Sequence, residues 1–203
     1  MILSIESVTK TYGKKTVLND FSLAMDEGAR TALLGASGRG KTTLLKIILG
    51  LAAADNGSVS VVDNLHRFMV FQEDRLLMSF NAADNLNVYP YPFDKDKALQ
   101  LLSQLGLDEY TVSQKHADEY SGGMKRRLAI ARALYGCVRV RGLFPDAPML
   151  LIMDEPFKGL DSGLKDKVIL TVNEVLAQTG SALLIVTHDG KEAAALGCSL
   201  VKI

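Results

Sequence analysis

The chain has 203 residues, 48% of them apolar, with Lys+Arg and Asp+Glu equal at 23 each. That is enough apolar material for one well-buried domain, and it excludes a disordered chain. Zero net charge excludes a global basic footprint for nucleic acid and a strong pull toward an anionic membrane surface. The local triplet Lys125-Arg126-Arg127 reads as a solvated helix face. Cys137 and Cys198 lie far apart, as two free thiols rather than a disulfide or metal pair. The N-terminal MILSIESVTKTYGKK lacks the apolar core of a signal peptide. No run approaches the roughly 18 apolar residues of a membrane span. The expectation is a cytoplasmic chain that can serve as a peripheral subunit of a membrane assembly.

In chain order, Ile2 to Val8 and Val17 to Met25 alternate apolar and polar residues, as half-buried strands do, around a turn at Tyr12 to Lys15. Ala29 to Leu34 is a short buried strand. Lys41 to Leu51 is a helix with Leu44, Leu45, Ile48 and Leu51 on one face. Ser58 to Val62 and Phe68 to Phe71 are further strands, and Gln72 to Pro92 is loop or short helix. Helices are expected over Asp94 to Gly106 and Ser121 to Tyr135. Met149 to Met153 and Ala182 to Thr187 are apolar strands separated by a helix over Ser162 to Gln178. A helix over Glu192 to Leu196 and a strand over Leu200 to Ile203 close the chain. Alternating strands and helices imply an α/β fold with a mainly parallel central sheet. The strand-poor stretch 74–141 reads as a helical sub-domain, and 1–73 with 142–203 as the core around it.

Between the third strand and the first helix lies Gly35-Ala36-Ser37-Gly38-Arg39-Gly40-Lys41-Thr42-Thr43. Gly35, Gly40, Lys41 and Thr42 fit G-x-x-x-x-G-K-[ST]. Glycines let backbone N–H groups turn inward toward phosphate oxygens. The helix from Lys41 adds unpaired N–H groups and a positive dipole end. Lys41 can reach the β- and γ-phosphates, and Thr42 can place a hydroxyl on Mg²⁺. The loop is a nucleoside triphosphate site.

PMLLIMDEP ends an apolar strand in Asp154 and Glu155. Neighbouring side chains on a strand point to opposite faces. One carboxylate can hold Mg²⁺ through water while the next faces the γ-phosphate, as a water-activating base requires. His188 follows another buried strand, at the sheet edge where α/β folds bind ligands. It can hydrogen-bond a γ-phosphate. Gln72, after the strand ending VFQ, can offer its amide oxygen to Mg²⁺ or water. Ser121-Gly122-Gly123 opens a helix and forms a second anion site. One chain has one phosphate loop, so this second receptor needs a partner.

Together these motifs, in this order, resemble the ATP-binding cassette (ABC) ATPase family over nearly the whole chain. The resemblance includes Gly159-Leu160-Asp161 after the acidic strand. It implies a P-loop core with a small antiparallel β arm and an inserted helical sub-domain, hydrolysing ATP with Mg²⁺. It implies that Tyr12 stacks on adenine and Val17 packs near the ribose. Glu155 would be the general base, His188 a γ-phosphate contact and Asp161 a cross-dimer contact. Two chains would sandwich two ATPs head to tail, as a homodimer. The helical sub-domain and the Gln72 loop would receive a coupling helix from a membrane-spanning permease on the cytoplasmic face of the membrane. VFQEDRLL, SGGM and DEPFKGLD are most similar to bacterial importer subunits of the nitrate/sulfonate/taurine type, which adds a substrate-binding protein as a partner and no nucleic acid. The alternative is a soluble ABC ATPase acting on nucleic acid or an assembly machine; a pseudo-ATPase adaptor is a third class, and no catalytic position is missing.

Three departures from the family pattern stand out. Tyr120 replaces the usual leucine before the signature. The arm between Lys41 and Gln72 is short. The stretch 135–148 is long, with Arg139 to Pro145 expected as a surface loop. With the chain closing soon after the histidine strand, no C-terminal regulatory domain is expected.

Overall fold

The computed structural model describes residues 1–36 and 38–203. Ser37, expected in the phosphate loop, lies outside the described residues. Among the described residues, eight strands form two sheets. β1 (Leu3–Tyr12) pairs antiparallel with β2 (Lys15–Met25) and with β4 (Asn56–Val61), forming the small arm. The second sheet has the order β5-β6-β7-β3-β8, from β3 (Arg30–Leu34), β5 (His66–Val70), β6 (Met149–Asp154), β7 (Ala182–Val186) and β8 (Ser199–Lys202). All four of its strand pairings are parallel. The expected α/β class with a mainly parallel sheet and an antiparallel arm is what forms.

Strand periodicity explains why the parallel sheet is apolar throughout. On β6, Met149, Leu151 and Met153 face one hydrophobic cluster while Leu150 and Ile152 face the other. On β7, Leu183 and Ile185 face the first cluster, and Ala182, Leu184 and Val186 the second. A parallel sheet covered on both faces needs apolar residues at every position, which is why these runs do not alternate. The second cluster packs the arm and α1 (Lys41–Ile48) against the sheet. The first packs the helices that lie in chain order between β5 and β6, together with α6 (Ser162–Thr179).

Those intervening helices are α2 (Ala82–Leu86), α3 (Lys95–Gln104), α4 (Glu109–Gln114) and α5 (Gly122–Leu143). Asp94 caps α3 by accepting from the Lys97 N–H at 3.1 Å, as expected from an aspartate ahead of the apolar pattern. The short α4 has no sequence counterpart above; Asp108 caps it, accepting from Thr111 N–H and hydroxyl. A last short helix, α7 (Gly190–Ala195), precedes β8.

Two expectations are corrected. Residues 139–143 of the expected surface loop instead continue α5 to Leu143, and only Phe144 and Pro145 lie in an exposed turn. Tyr135, Gly136, Cys137 and Val140 are buried along it. Arg141 donates to the Thr179 carbonyl at 2.6 Å. The helix stops because Pro145 disfavours helical backbone at Phe144, which adopts φ −133° and ψ 81°. The Arg126 and Arg127 side chains are not a solvated face either: they are 5% and 7% exposed and bonded to backbone carbonyls.

A Cβ on Gly136 would sit 2.5 Å from Phe68 Cε1 and 2.8 Å from Tyr89 Cζ. Gly136→Val should therefore lower stability by about 1–3 kcal/mol through overpacking. Denaturant unfolding measures this, and a wild-type midpoint would contradict the close helix–sheet contact.

Candidate active site

The C-terminal ends of β3, β5, β6 and β7 lie along one edge of the parallel sheet, because parallel register points every strand the same way. The candidate residues follow directly from those ends. A cleft of about 380 Å³ is lined by Lys15, Val17, Gly38, Gly40, Lys41, Thr42, Thr43, Gln72, Asp154, Glu155 and Val186. A larger groove of about 610 Å³ continues past Arg39 toward β8 but contains neither strand-end carboxylate.

The loop folds around its own lysine. Lys41 Nζ donates to the Gly35 carbonyl at 2.6 Å and the Ala36 carbonyl at 2.9 Å. Gly40 sits at φ +89° with its Cα against the Val17 carbonyl, a position with no space for a Cβ. Left-handed backbone plus that close approach make glycine obligatory there. Arg39 and Ala36 are exposed.

Thr42 Oγ1 donates to Asp154 Oδ2 at 3.0 Å, joining the start of α1 to the end of β6. Asp154 is 2% exposed. Burial raises its pKa, opposed by the Thr42 hydrogen bond and the nearby charges of Lys41 and Arg126. A hydroxyl and a buried carboxylate side by side are two hard oxygen donors, a set that fits Mg²⁺.

Glu155, directly after β6, is in strained backbone, with φ 45°. That left-handed conformation costs a non-glycine residue on the order of 1–3 kcal/mol. Surrounding bonds hold it: its N–H donates to the Val186 carbonyl at 2.9 Å, and its carbonyl accepts from Lys158 N–H and Arg126 at 3.3 Å each. Its carboxylate lies 3.5 Å from Lys158 Nζ and 4.0 Å from His188 Nδ1. His188 itself is exposed and lines a neighbouring cavity of about 210 Å³ that Glu155 also borders.

Other expected residues stand apart from the cleft. Ser121 caps α5, accepting from Met124 N–H at 3.3 Å, and lies exposed beside Gly122 and Gly123. Asp161 caps α6 through Leu164 N–H at 3.0 Å. Tyr12 is 52% exposed, with Lys10 Nζ 5.5 Å from its ring centre, and does not line the cleft. Gln72, two residues past the end of β5, does line the cleft. Sequence reading missed Lys15, which lines the cleft, and Arg126. Lys15 sits in no motif, and Arg126 belongs to the triplet read as solvated; only the fold brings them in.

The family model described as "ABC transporter" matches residues 18–158. The aliphatic sulfonates import ATP-binding protein SsuB of Pectobacterium atrosepticum is 34% identical over 209 residues, covering 99% of this chain and 73% of that protein. The taurine import ATP-binding protein TauB of Escherichia coli O157:H7 is 32% identical, covering 98% of this chain and 78% of its own. Among solved structures, the ATP-binding cassette MJ0796, as a dimer in a post-hydrolysis state bound to ADP and Pi, superposes with a TM-score of 0.81 at 25% identity. The match covers 100% of this chain and 94% of that one.

Gly40→Ala places a Cβ against the Val17 carbonyl in left-handed backbone. Equilibrium binding of ATP should weaken by about 5- to 150-fold, from about 1–3 kcal/mol of loop strain. Unchanged affinity would mean the loop tolerates another shape.

Proposed function

From membership of the ABC transporter family, to which this chain belongs, we propose that it is the ATP-hydrolysing subunit of a bacterial importer of the sulfonate/taurine type. The carrying observation is the convergence of Lys41, the Thr42–Asp154 bond and Glu155 on one cleft. Lys41 and the Gly38–Thr43 backbone bind the triphosphate, and Val17 packs beside the ribose. Tyr12 stacks on adenine. Thr42 and Asp154 would hold Mg²⁺, with Gln72 as a further oxygen donor; bound there, the cation would neutralise charge on the phosphate oxygens.

Glu155 takes a proton from the water that attacks the γ-phosphorus. The bond from the γ-phosphorus to its bridging oxygen breaks, leaving ADP and phosphate. His188 donates a hydrogen bond to the γ-phosphate. Its exposure and its 4.0 Å separation from Glu155 suit a group that acts at a closing interface.

Ser121 and Gly122 lie exposed, and Gly123 half-buried, at the start of α5, with Asp161 exposed at the start of α6. Their separation from the cleft is what a head-to-tail homodimer needs, with each ATP between one cleft and the partner's Ser121-Gly122-Gly123. The dimeric solved cassette supports this reading.

The permease docks where the helical insert, 74–141, meets the Gln72 loop. A groove of about 380 Å³ there includes Leu45, Leu49, Met69, Phe71, Gln72 and Arg75. Leu77, Met78 and Phe80, just beyond it, are 42%, 42% and 50% exposed. Among the described residues no helix is long and apolar enough to cross a membrane. The permease therefore supplies the path, and its docking places this chain on the cytoplasmic face. A substrate-binding protein delivers the cargo.

Lys41→Ala should weaken ATP binding by about 1.5–3 kcal/mol, the worth of a charge-assisted hydrogen bond. Isothermal titration checks this, and intact affinity would remove Lys41 from phosphate contact. Glu155→Gln should bind ATP normally, lose turnover and accumulate as a dimer in size-exclusion chromatography with ATP. Wild-type turnover by that variant would remove the base role.

A further inference from the structure

Arg126 lies on α5, one turn past Ser121-Gly122-Gly123, and its guanidinium is buried. A buried guanidinium is tolerated only where its donors are satisfied. Its acceptors come from two loops at the site. Nη1 donates to the Phe71 carbonyl at 2.6 Å and lies 3.4 Å from Asp74 Oδ1. Nη2 donates to the Gln72 carbonyl at 2.7 Å and the Glu155 carbonyl at 3.3 Å. The neighbouring Arg127 bonds instead to Leu105, Gly106 and Gly123, all within the helical region. Arg132, farther along α5, reinforces the first attachment by donating to the Arg75 carbonyl at 2.9 Å.

We propose that Arg126 is a positioning residue that fixes the Gln72 loop and the strained Glu155 turn to the helix bearing Ser121-Gly122-Gly123. One rigid planar group then spans three elements: the loop that faces the permease, the turn that carries the base, and the helix that meets the partner's ATP. Displacement of the Gln72 loop is passed to the Glu155 backbone through Arg126 rather than through mobile side chains. The left-handed φ of Glu155 makes its turn dependent on such outside support. Arginine suits the task because its fork holds several carbonyls at fixed angles, which a lysine ammonium does not. The inference rests on the proposed roles of Glu155 and Gln72.

The test uses the purified full chain. Arg126→Gln and Arg126→Lys are compared with wild type for ATP affinity, KM, kcat and melting temperature, beside Glu155→Gln, Gln72→Ala and the double variant Gln72→Ala/Arg126→Gln. Arg126→Gln should keep ATP affinity within about twofold, since Lys41 and its loop are untouched. Its kcat should fall at least about tenfold, the loss expected for a misplaced base. Arg126→Lys should recover part of that rate. The Gln72 and Arg126 losses should not multiply, because both variants disturb the same attachment.

Wild-type kcat in a folded Arg126→Gln, equal losses of affinity and kcat, or rate factors that multiply would each overturn the proposal. If Arg126→Gln does not fold, Arg126→Lys decides: lowered kcat with intact affinity supports it, and wild-type kcat overturns it. Wild-type turnover by Glu155→Gln would instead remove the underlying base assignment. An inactive Glu155→Gln beside a fully active Arg126→Gln would remove the Arg126 inference alone.

Discussion

Thr42 and Asp154 lie far apart in sequence, yet a 3.0 Å hydrogen bond joins them. That bond closes the phosphate loop onto the acidic strand, and the rest of the cleft is arranged around it. It forms because β3 and β6 run parallel in one sheet, separated by β7 alone, so their C-terminal ends share an edge. The apolar faces of that sheet, buried between two clusters, fix the register that makes the contact possible. Burial of Asp154 by the same packing raises its pKa, while the Thr42 hydroxyl and the nearby cations oppose the rise.

Tight turns then set the chemistry. Gly40 at φ +89° brings the loop against Val17, and Glu155 at φ 45° re-aims the chain directly after Asp154. The strain at Glu155 is offset by bonds to β7, to Lys158 and to Arg126. Strain of this kind at a proposed catalytic position is consistent with pre-organisation, because the backbone is held in place rather than free to relax.

The long helix α5 links the parts. Its start carries the exposed Ser121 and Gly122, its second turn grips the Gln72 loop, and its middle packs Gly136 against Phe68 and Tyr89 on the sheet side. One helix thus runs from the outer surface to the sheet.

Much of this was legible in sequence. The phosphate loop, Asp154-Glu155, Ser121-Gly122-Gly123 and His188 announce themselves because phosphate and metal chemistry demand particular residue types at short local spacings. Apolar runs marked β3, β6 and β7 because a doubly covered strand has no polar face. Residues 139–143 and the Lys125-Arg126-Arg127 triplet misled. Polar residues interrupt the apolar pattern in one, and charge suggested solvent in the other, whereas both are held by carbonyls from distant parts of the chain. Lys15 was silent because nothing local distinguishes a cleft lysine from a turn lysine. The sequence by itself determined the chemistry of each motif and the α/β class, since those depend on residue type and short-range period. Only the tertiary structure decided which motifs share a cleft, which stand apart from it, and which buried cation joins them, because those depend on contacts between residues distant in the chain.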